Sequence, residues 1–301
     1  MRPSNIERWL DQNLLSVQKP GRYAGGELNQ VVKDWADTPF RVALAFPEIY
    51  ELGMSNLGLA ILYDILNGQP NVLAERVYSP WTDMEQAMRA AQVPLYSLET
   101  KHPIAEFDIL AISLPYENLY SNTLNLLDLS DIPLLVSDRG RGEAVVIAGG
   151  HSTYNPEPMA DFIDAFVVGE GEDVILEIVD AIRTWQIEGL DRGQLHRRLA
   201  QIWGVYVPSL FRPHYVEDGT LDHIETLATE ARVMKRIVSR LPAPVTNFIV
   251  PTIDITHNRI PIEIMRGCTR GCRFCQAGMI TRSVRERPVE EVVEAIEAAL
   301  A

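Results

Sequence analysis

A doubly wound α/β domain built on a parallel sheet is the fold class this sequence predicts, and three observations predict it. Short apolar runs, each the length of a buried strand, recur at Val42–Phe46, Ile109–Leu114, Ala144–Ala148 and Ala165–Val168. Segments with helical spacing lie between them. The runs are apolar throughout rather than alternating, which is the pattern of strands covered on both faces. Apolar strands alternating with helices pack as a sheet between two helical layers. Residues 40–186 are therefore expected to form a flavodoxin-like domain.

The elements follow in chain order. Residues 1–39 read as a helical leader, Ile6 to Leu15, followed by the Gly-rich turn Arg22 to Asn29. After the first strand, Met54 to Leu66 has helical spacing. A fifth strand lies within Val72–Tyr78 or within Val93–Leu98, and the pattern does not choose between them. Behind Ala165–Val168 comes Gly169-Glu-Gly-Glu-Asp173, then a helix whose Val174, Ile178, Ala181 and Ile182 share one face. The acids at 170, 172 and 173 suit that helix's N-terminus through its dipole; they are alternatively ligands for a divalent metal. Residues 187–259 read as a connector, with a charged helix from Asp191 to Ile202 and a hairpin at Asp218-Gly219. Pro242, Pro244 and Pro251 then mark an extended stretch. From 260 a new strand, Ile260–Met265, runs into a cysteine loop. A closing helix has Pro288 in its first turn and Val289, Val292, Val293, Ile296 and Leu300 on one face. One strand and one helix cannot bury a core alone. Residues 260–301 are expected to be the truncated start of a second domain, less protected than the first.

Composition narrows the function. A chain of 301 residues has room for about two domains. With 47% hydrophobic and 23% charged residues it is of globular rather than disordered type. No apolar run reaches the ~18 residues of a membrane span, which argues against an integral membrane protein. The N-terminus lacks the apolar core of a secretory signal, so a cytoplasmic location is expected. The formal charge of −14 opposes binding to nucleic acid or acidic membranes over most of the surface. Residues 266–287 are the exception, with six arginines against the single acid Glu286. That patch is a candidate contact for RNA phosphates. The only three cysteines, Cys268, Cys272 and Cys275, lie in the same stretch. An odd count so tightly clustered is not a disulfide framework and points to metal or redox chemistry.

The motif is Arg266-Gly-Cys268-Thr-Arg-Gly-Cys272-Arg-Phe-Cys275, a C-x₃-C-x₂-C. Three thiolates at this spacing can hold three corners of a [4Fe–4S] cubane and leave one iron without a protein ligand. An open metal position is where a substrate or cofactor binds. The arginines complement an anionic cluster and any carboxylate it binds. Zinc is the competing metal, but no His within the loop completes four ligands; the nearest, His257, lies upstream. The pattern resembles the radical S-adenosylmethionine (SAM) superfamily. The resemblance implies that Cys268, Cys272 and Cys275 bind the cluster and that Phe274 lies on its SAM side. It further implies that the open iron chelates SAM and that a reductant of flavodoxin or ferredoxin type supplies the electron. SAM is then cleaved to a 5′-deoxyadenosyl radical that acts on a substrate the sequence does not define.

The first domain resembles the cobalamin-binding domains that precede some radical-SAM barrels. Their fingerprint is D-x-H-x-x-G after the first strand, Ser after the third and Gly-Gly after the fourth. Here Glu48-Ile-Tyr50-Glu-Leu-Gly53, Ser113 and Gly149-Gly150 occupy those places, and Gly169 and Gly171 follow the fifth strand. Tyr50 stands where the cobalt-ligating His would be, so either cobalamin binds without a lower protein ligand or the fold persists without it. The glycines either line a cofactor or only shape strand–helix turns, and His151 is a further candidate ligand. The whole chain, leader included, is similar to an uncharacterised radical-SAM family with an N-terminal B12-binding-like domain. The alternatives are a non-catalytic iron–sulfur or corrinoid-binding accessory protein, and a zinc-stabilised interaction module.

Overall fold

A computed structural model describes residues 1–228 and 232–300. Its main sheet contains β1 (Phe40–Phe46), β2 (Val72–Tyr78), β3 (Ile109–Ser113), β4 (Val145–Gly149), β5 (Ala165–Val167) and β6 (Val205–Tyr206). The spatial order is β2-β1-β3-β4-β5-β6, parallel except for β6, which runs antiparallel to β5. The 2-1-3-4-5 order is that of flavodoxin-like sheets, with a switch point between β1 and β3. The four strands expected from apolar runs all form. The undecided fifth strand is Val72–Tyr78; Val93–Leu98 forms no strand, and Tyr96 within it makes an isolated bridge to Pro103.

Helices Leu57–Asn67, Thr82–Ala91, Tyr120–Leu129 and Val174–Glu188 connect or follow these strands. Asn56 caps the first, accepting a hydrogen bond from Leu59 N. The last buries Val174, Ile178, Ile182 and Trp185 along one stripe. Asp164, just before β5, is fully buried and receives Arg139 and Arg192 at 3.0 and 2.9 Å and His196 at 3.1 Å. Burial pushes its carboxyl up, but His196, Arg192 and Arg139 outweigh that and hold it far below the usual range. These contacts fasten helix Arg192–Leu199 to the sheet.

The leader helix forms over Pro3–Asn13, and the Gly-rich turn behind it enters a charged network. Arg22 pairs with Glu51 at 2.8 Å, Glu27 with Arg76 at 2.9 Å and Arg76 with Glu99 at 2.6 Å, all with buried side chains. Gly25 has φ +68°, and a Cβ there would lie 2.2 Å from the Leu98 carbonyl, so only glycine passes. The outer rim of β2 is met by hydrogen bonds from side chains and loops. Asn67 accepts from Ala74 N and donates to Ala74 O, Glu99 accepts from Arg76 N, Leu98 N donates to Arg76 O, and Lys33 donates to Val72 O.

Past β6, the hairpin expected at Asp218-Gly219 forms between β7 (Phe211–Tyr215) and β8 (Leu221–Thr226), with Gly219 at φ +83°. Of the strand expected over Ile260–Met265, only its end forms, as β9 (Met265–Arg266), paired antiparallel with β10 (Arg285–Glu286). The reason is a lack of partners: among the described residues no parallel strand offers a ladder to Ile260–Ile264. Helix Val289–Leu300 forms as expected. Its apolar face is largely exposed, with Val289 and Leu300 at 72% and 73%, and only Ala295 is buried.

Candidate functional site

A cavity of about 380 Å³ opens at the C-terminal ends of the parallel strands, where ligands of open α/β sheets bind. Its floor is apolar, from Leu44, Ile112, Ile147 and Val167 on four adjacent strands. Ser113, Gly149, Gly150, Gly169 and Gly171 all line it, as does His151 at the rim. Five of the residues expected to contact a corrinoid are thus brought together. The glycines divide into two kinds. At Gly150 (φ +116°) a Cβ would lie 2.5 Å from Leu114 O, and at Gly169 (φ +115°) 2.2 Å from Arg236 O, so the turns themselves demand glycine. At Gly149 a Cβ would meet nothing within 4 Å, leaving its backbone open to a ligand.

Tyr50 and Gly53 are not brought to this cavity. The Tyr50 ring is 1% exposed, stacks edge-on against Tyr78 and donates its hydroxyl to Glu27 at 2.9 Å. Burial, with the Glu27 charge, pushes that phenol well above its ordinary range. Gly53 lies against the same Tyr78 ring, which a Cβ would approach to 2.2 Å. The position of the expected cobalt ligand is therefore spent on holding the leader.

One side of the cavity is closed by the segments that flank the cysteine motif, through Glu263, Arg266, Ile280 and Arg282. The cysteines themselves do not line it. Gly267 turns at φ +90° beside Ser283 O, and Gly271 at φ +67°, which lets the motif loop out and return through β10. Cys272 is exposed, Cys268 and Cys275 are half-buried, and Phe274 is 92% exposed at the loop tip. The donor set fits an iron–sulfur cluster. Arg270 N points at Cys268 Sγ at 3.5 Å and Gly278 N at Cys275 Sγ at 3.3 Å, the outer-shell donors that orient and tune thiolate ligands. Gly278 is buried between two of the cysteines, a Cβ there lying 3.5 Å from Cys275 Sγ and 3.9 Å from Cys268 Cβ. Among the described residues, however, no three His, Cys, Asp or Glu side chains converge as a ready metal-binding group. The loop presents the thiols in one neighbourhood without drawing them onto a common centre.

The loop after β5 binds this segment electrostatically. Glu170 pairs with Arg285 and Glu172 with Arg266, while Arg266 and Arg287 also pair with Glu263 at 2.9 Å each. Burial pushes the Glu170 carboxyl up, yet Arg285, the Val238 amide and Arg266 together hold it below the ordinary value. Glu170 and Glu172 therefore act as partners of the arginine patch. Arg266, Arg285 and Arg287 are consumed by these pairs, while Arg270, Arg273 and Arg282 stay exposed. Tyr154 and Lys235 complete the seam by donating to Ile280 O at 3.2 and 2.9 Å. Both charge clusters are visible in the sequence, and their opposite signs are the one signal there of a pairing that spans about a hundred residues.

The model of the family described as radical SAM proteins, N-terminal, matches residues 58–208, half of the chain, from helix Leu57–Asn67 through β6. The chain belongs to that family. An uncharacterised protein of Methanocaldococcus jannaschii is 27% identical over 258 residues, covering 84% of this radical SAM family chain and 44% of its own. Two structures of the radical SAM methyltransferase TsrM from Kitasatospora setae also match, at 14% and 15% identity and TM-scores of 0.44 and 0.45. One was solved with tryptophan substrate and a SAM analogue, the other with cobalamin and a [4Fe–4S] cluster. Each match covers 86% of this chain and 45% of TsrM. The chain thus spans less than half the length of these relatives. Among the described residues no helix is long and apolar enough to cross a membrane.

Proposed function

We propose that this chain carries the cofactor end of a radical SAM enzyme. Cys268, Cys272 and Cys275 would hold a [4Fe–4S] cluster whose fourth iron takes SAM. The observation that carries the reading is the clamp of this segment, through Arg266 and Arg285, onto the strand-end loop beside the cavity. Held by these three thiols, such a cluster would supply the electron for reductive cleavage of SAM. The chain's own residues do the rest. Arg270 and Gly278 N–H groups orient two thiols. Arg270 and Arg273 offset the negative charge of cluster and ligand. The exposed face at Cys272 and Phe274 is the approach for a reductant of flavodoxin or ferredoxin type.

The cavity would take a second ligand, with a corrinoid as the reading supported by Ser113, Gly149, Gly150, Gly169 and Gly171. Tyr50, buried elsewhere and bonded to Glu27, would not be among the residues that hold it. The domain limits proposed are 40–186 for the corrinoid-type domain, 187–259 for the connector and 260 onward for the SAM domain.

The test is anaerobic reconstitution with iron and sulfide. The parent chain should take up both and absorb broadly in the thiolate-to-iron charge-transfer region. The triple variant Cys268→Ala, Cys272→Ala, Cys275→Ala should take up neither, and equal iron in both proteins would refute the assignment. Bound Co(II) cobalamin should show no nitrogen hyperfine splitting from a protein imidazole. Such splitting would identify His151, at the cavity rim, as a ligand and correct that part of the reading.

A further inference from the structure

The loop after β5 grips the cysteine segment from both ends. Arg285 forks onto Glu170, its Nη1 reaching Oε2 at 2.6 Å and its Nη2 reaching Oε1 at 2.5 Å. Val238 N donates to the same Oε2 at 2.6 Å. Arg266, opposite Arg285 in the β9–β10 ladder, pairs with Glu172 and stands 3.6 Å from Glu170. All four side chains are shielded, with exposures of 12% for Arg285, 15% for Glu170, 17% for Arg266 and 8% for Glu172. Exposed ion pairs contribute little, whereas a shielded bidentate fork fixes geometry as well as energy.

Position makes the fork consequential. Arg266 precedes Cys268 by two residues, and Arg285 closes the ladder on the far side of Cys275. Glu170 itself cannot drift, because Gly169 lies against Arg236, with Arg236 N bonded to Val168 O and Glu170 N to Arg236 O. Glu170, Glu172 and Arg266 also line the cavity.

We infer that Glu170 is a positioning residue that sets where the cysteine loop stands relative to the cavity, so that the ligands of the two sites face each other. Its role toward the cluster rests on the function proposed above; its hold on the loop does not.

The experiment compares the parent with Glu170→Gln, and with Glu188→Gln as a control that breaks a remote exposed pair with Arg198. In metal-free protein, iodoacetamide alkylation of each cysteine is followed by mass spectrometry. Glu170→Gln should speed Cys268 and Cys275 by about tenfold, the scale of one charge-assisted fork lost. Cys272, already exposed, should change less than about twofold, and Glu188→Gln should match the parent. In reconstituted protein, Glu170→Gln should keep the parent's iron content but change the electron paramagnetic resonance envelope of the reduced cluster when SAM is added. Unchanged alkylation in Glu170→Gln overturns the inference. So does an equal rise at all three cysteines with loss of the near-ultraviolet signal of buried Trp185, which reports collapse of the fold. A parent that binds no iron overturns the cluster assignment and leaves the alkylation rates to decide on Glu170.

Discussion

Glu75 ties the stability of the sheet to pH in a direction opposite to most carboxylates. It lies in β2 with no exposed surface, and Thr100 Oγ1 donates to its carboxyl at 2.8 Å. Burial, and then the nearby Glu99 charge, push its pKa from 4.5 up to about 7, against the pull of Ser97 and Thr100. Between those values the folded chain keeps a proton that the unfolded chain releases. Stability therefore falls as pH rises through this interval, by at most about 3 kcal/mol. Below 4.5 both states are protonated and the effect vanishes. Glu75→Gln mimics the protonated group, so it should be nearly neutral near pH 5 and stabilising by about 2–3 kcal/mol near pH 7.5. The comparison stops there because burial brings the Lys101 amine down to about 8. Urea unfolding followed by circular dichroism at the two pH values measures the difference. A variant whose stability runs parallel to the parent's at both pH values would refute the reasoning.

Two further substitutions test the frame of the site. Asp164→Asn leaves Arg139, Arg192 and His196 around a neutral amide and should cost about 3–5 kcal/mol, read from the urea midpoint. Gly150→Ala meets both a left-handed backbone and the Leu114 carbonyl, so it should cost about 1–3 kcal/mol and weaken hydroxocobalamin binding measured by equilibrium dialysis.

What was legible in the sequence follows from the range of the interactions. β1, β3, β4 and β5 declare themselves because strands covered on both faces need unbroken apolar runs. β2 did not, because Glu75 and Arg76 interrupt its run; both are buried, and their partners Thr100, Glu27 and Glu99 lie far along the chain. The C-x₃-C-x₂-C motif is local, and its spacing is read directly from the sequence. The Glu170–Arg285 fork spans 115 residues, and no periodicity records it. Tyr50 shows the reverse failure: its place in a local motif suggested a cofactor contact, while its hydroxyl is bonded to Glu27 of the leader.

The side-chain trim along the outer rim of β2 has a consequence for assembly. A bare rim of amides and carbonyls is a template on which another chain can add a strand, the first step toward aggregation. Here Lys33, Asn67, Leu98 and Glu99 occupy that template from within the same molecule. Polymerisation through this rim requires those groups to be expelled first. The safeguard is lent by segments that are not strands at all, among them the stretch ahead of β1 that supplies Lys33. Loss of that stretch would free the Val72 carbonyl at one end of the rim while Asn67, Leu98 and Glu99 still cover Ala74 and Arg76, so the leader supplies the first rung of a guard that the rest of the domain completes.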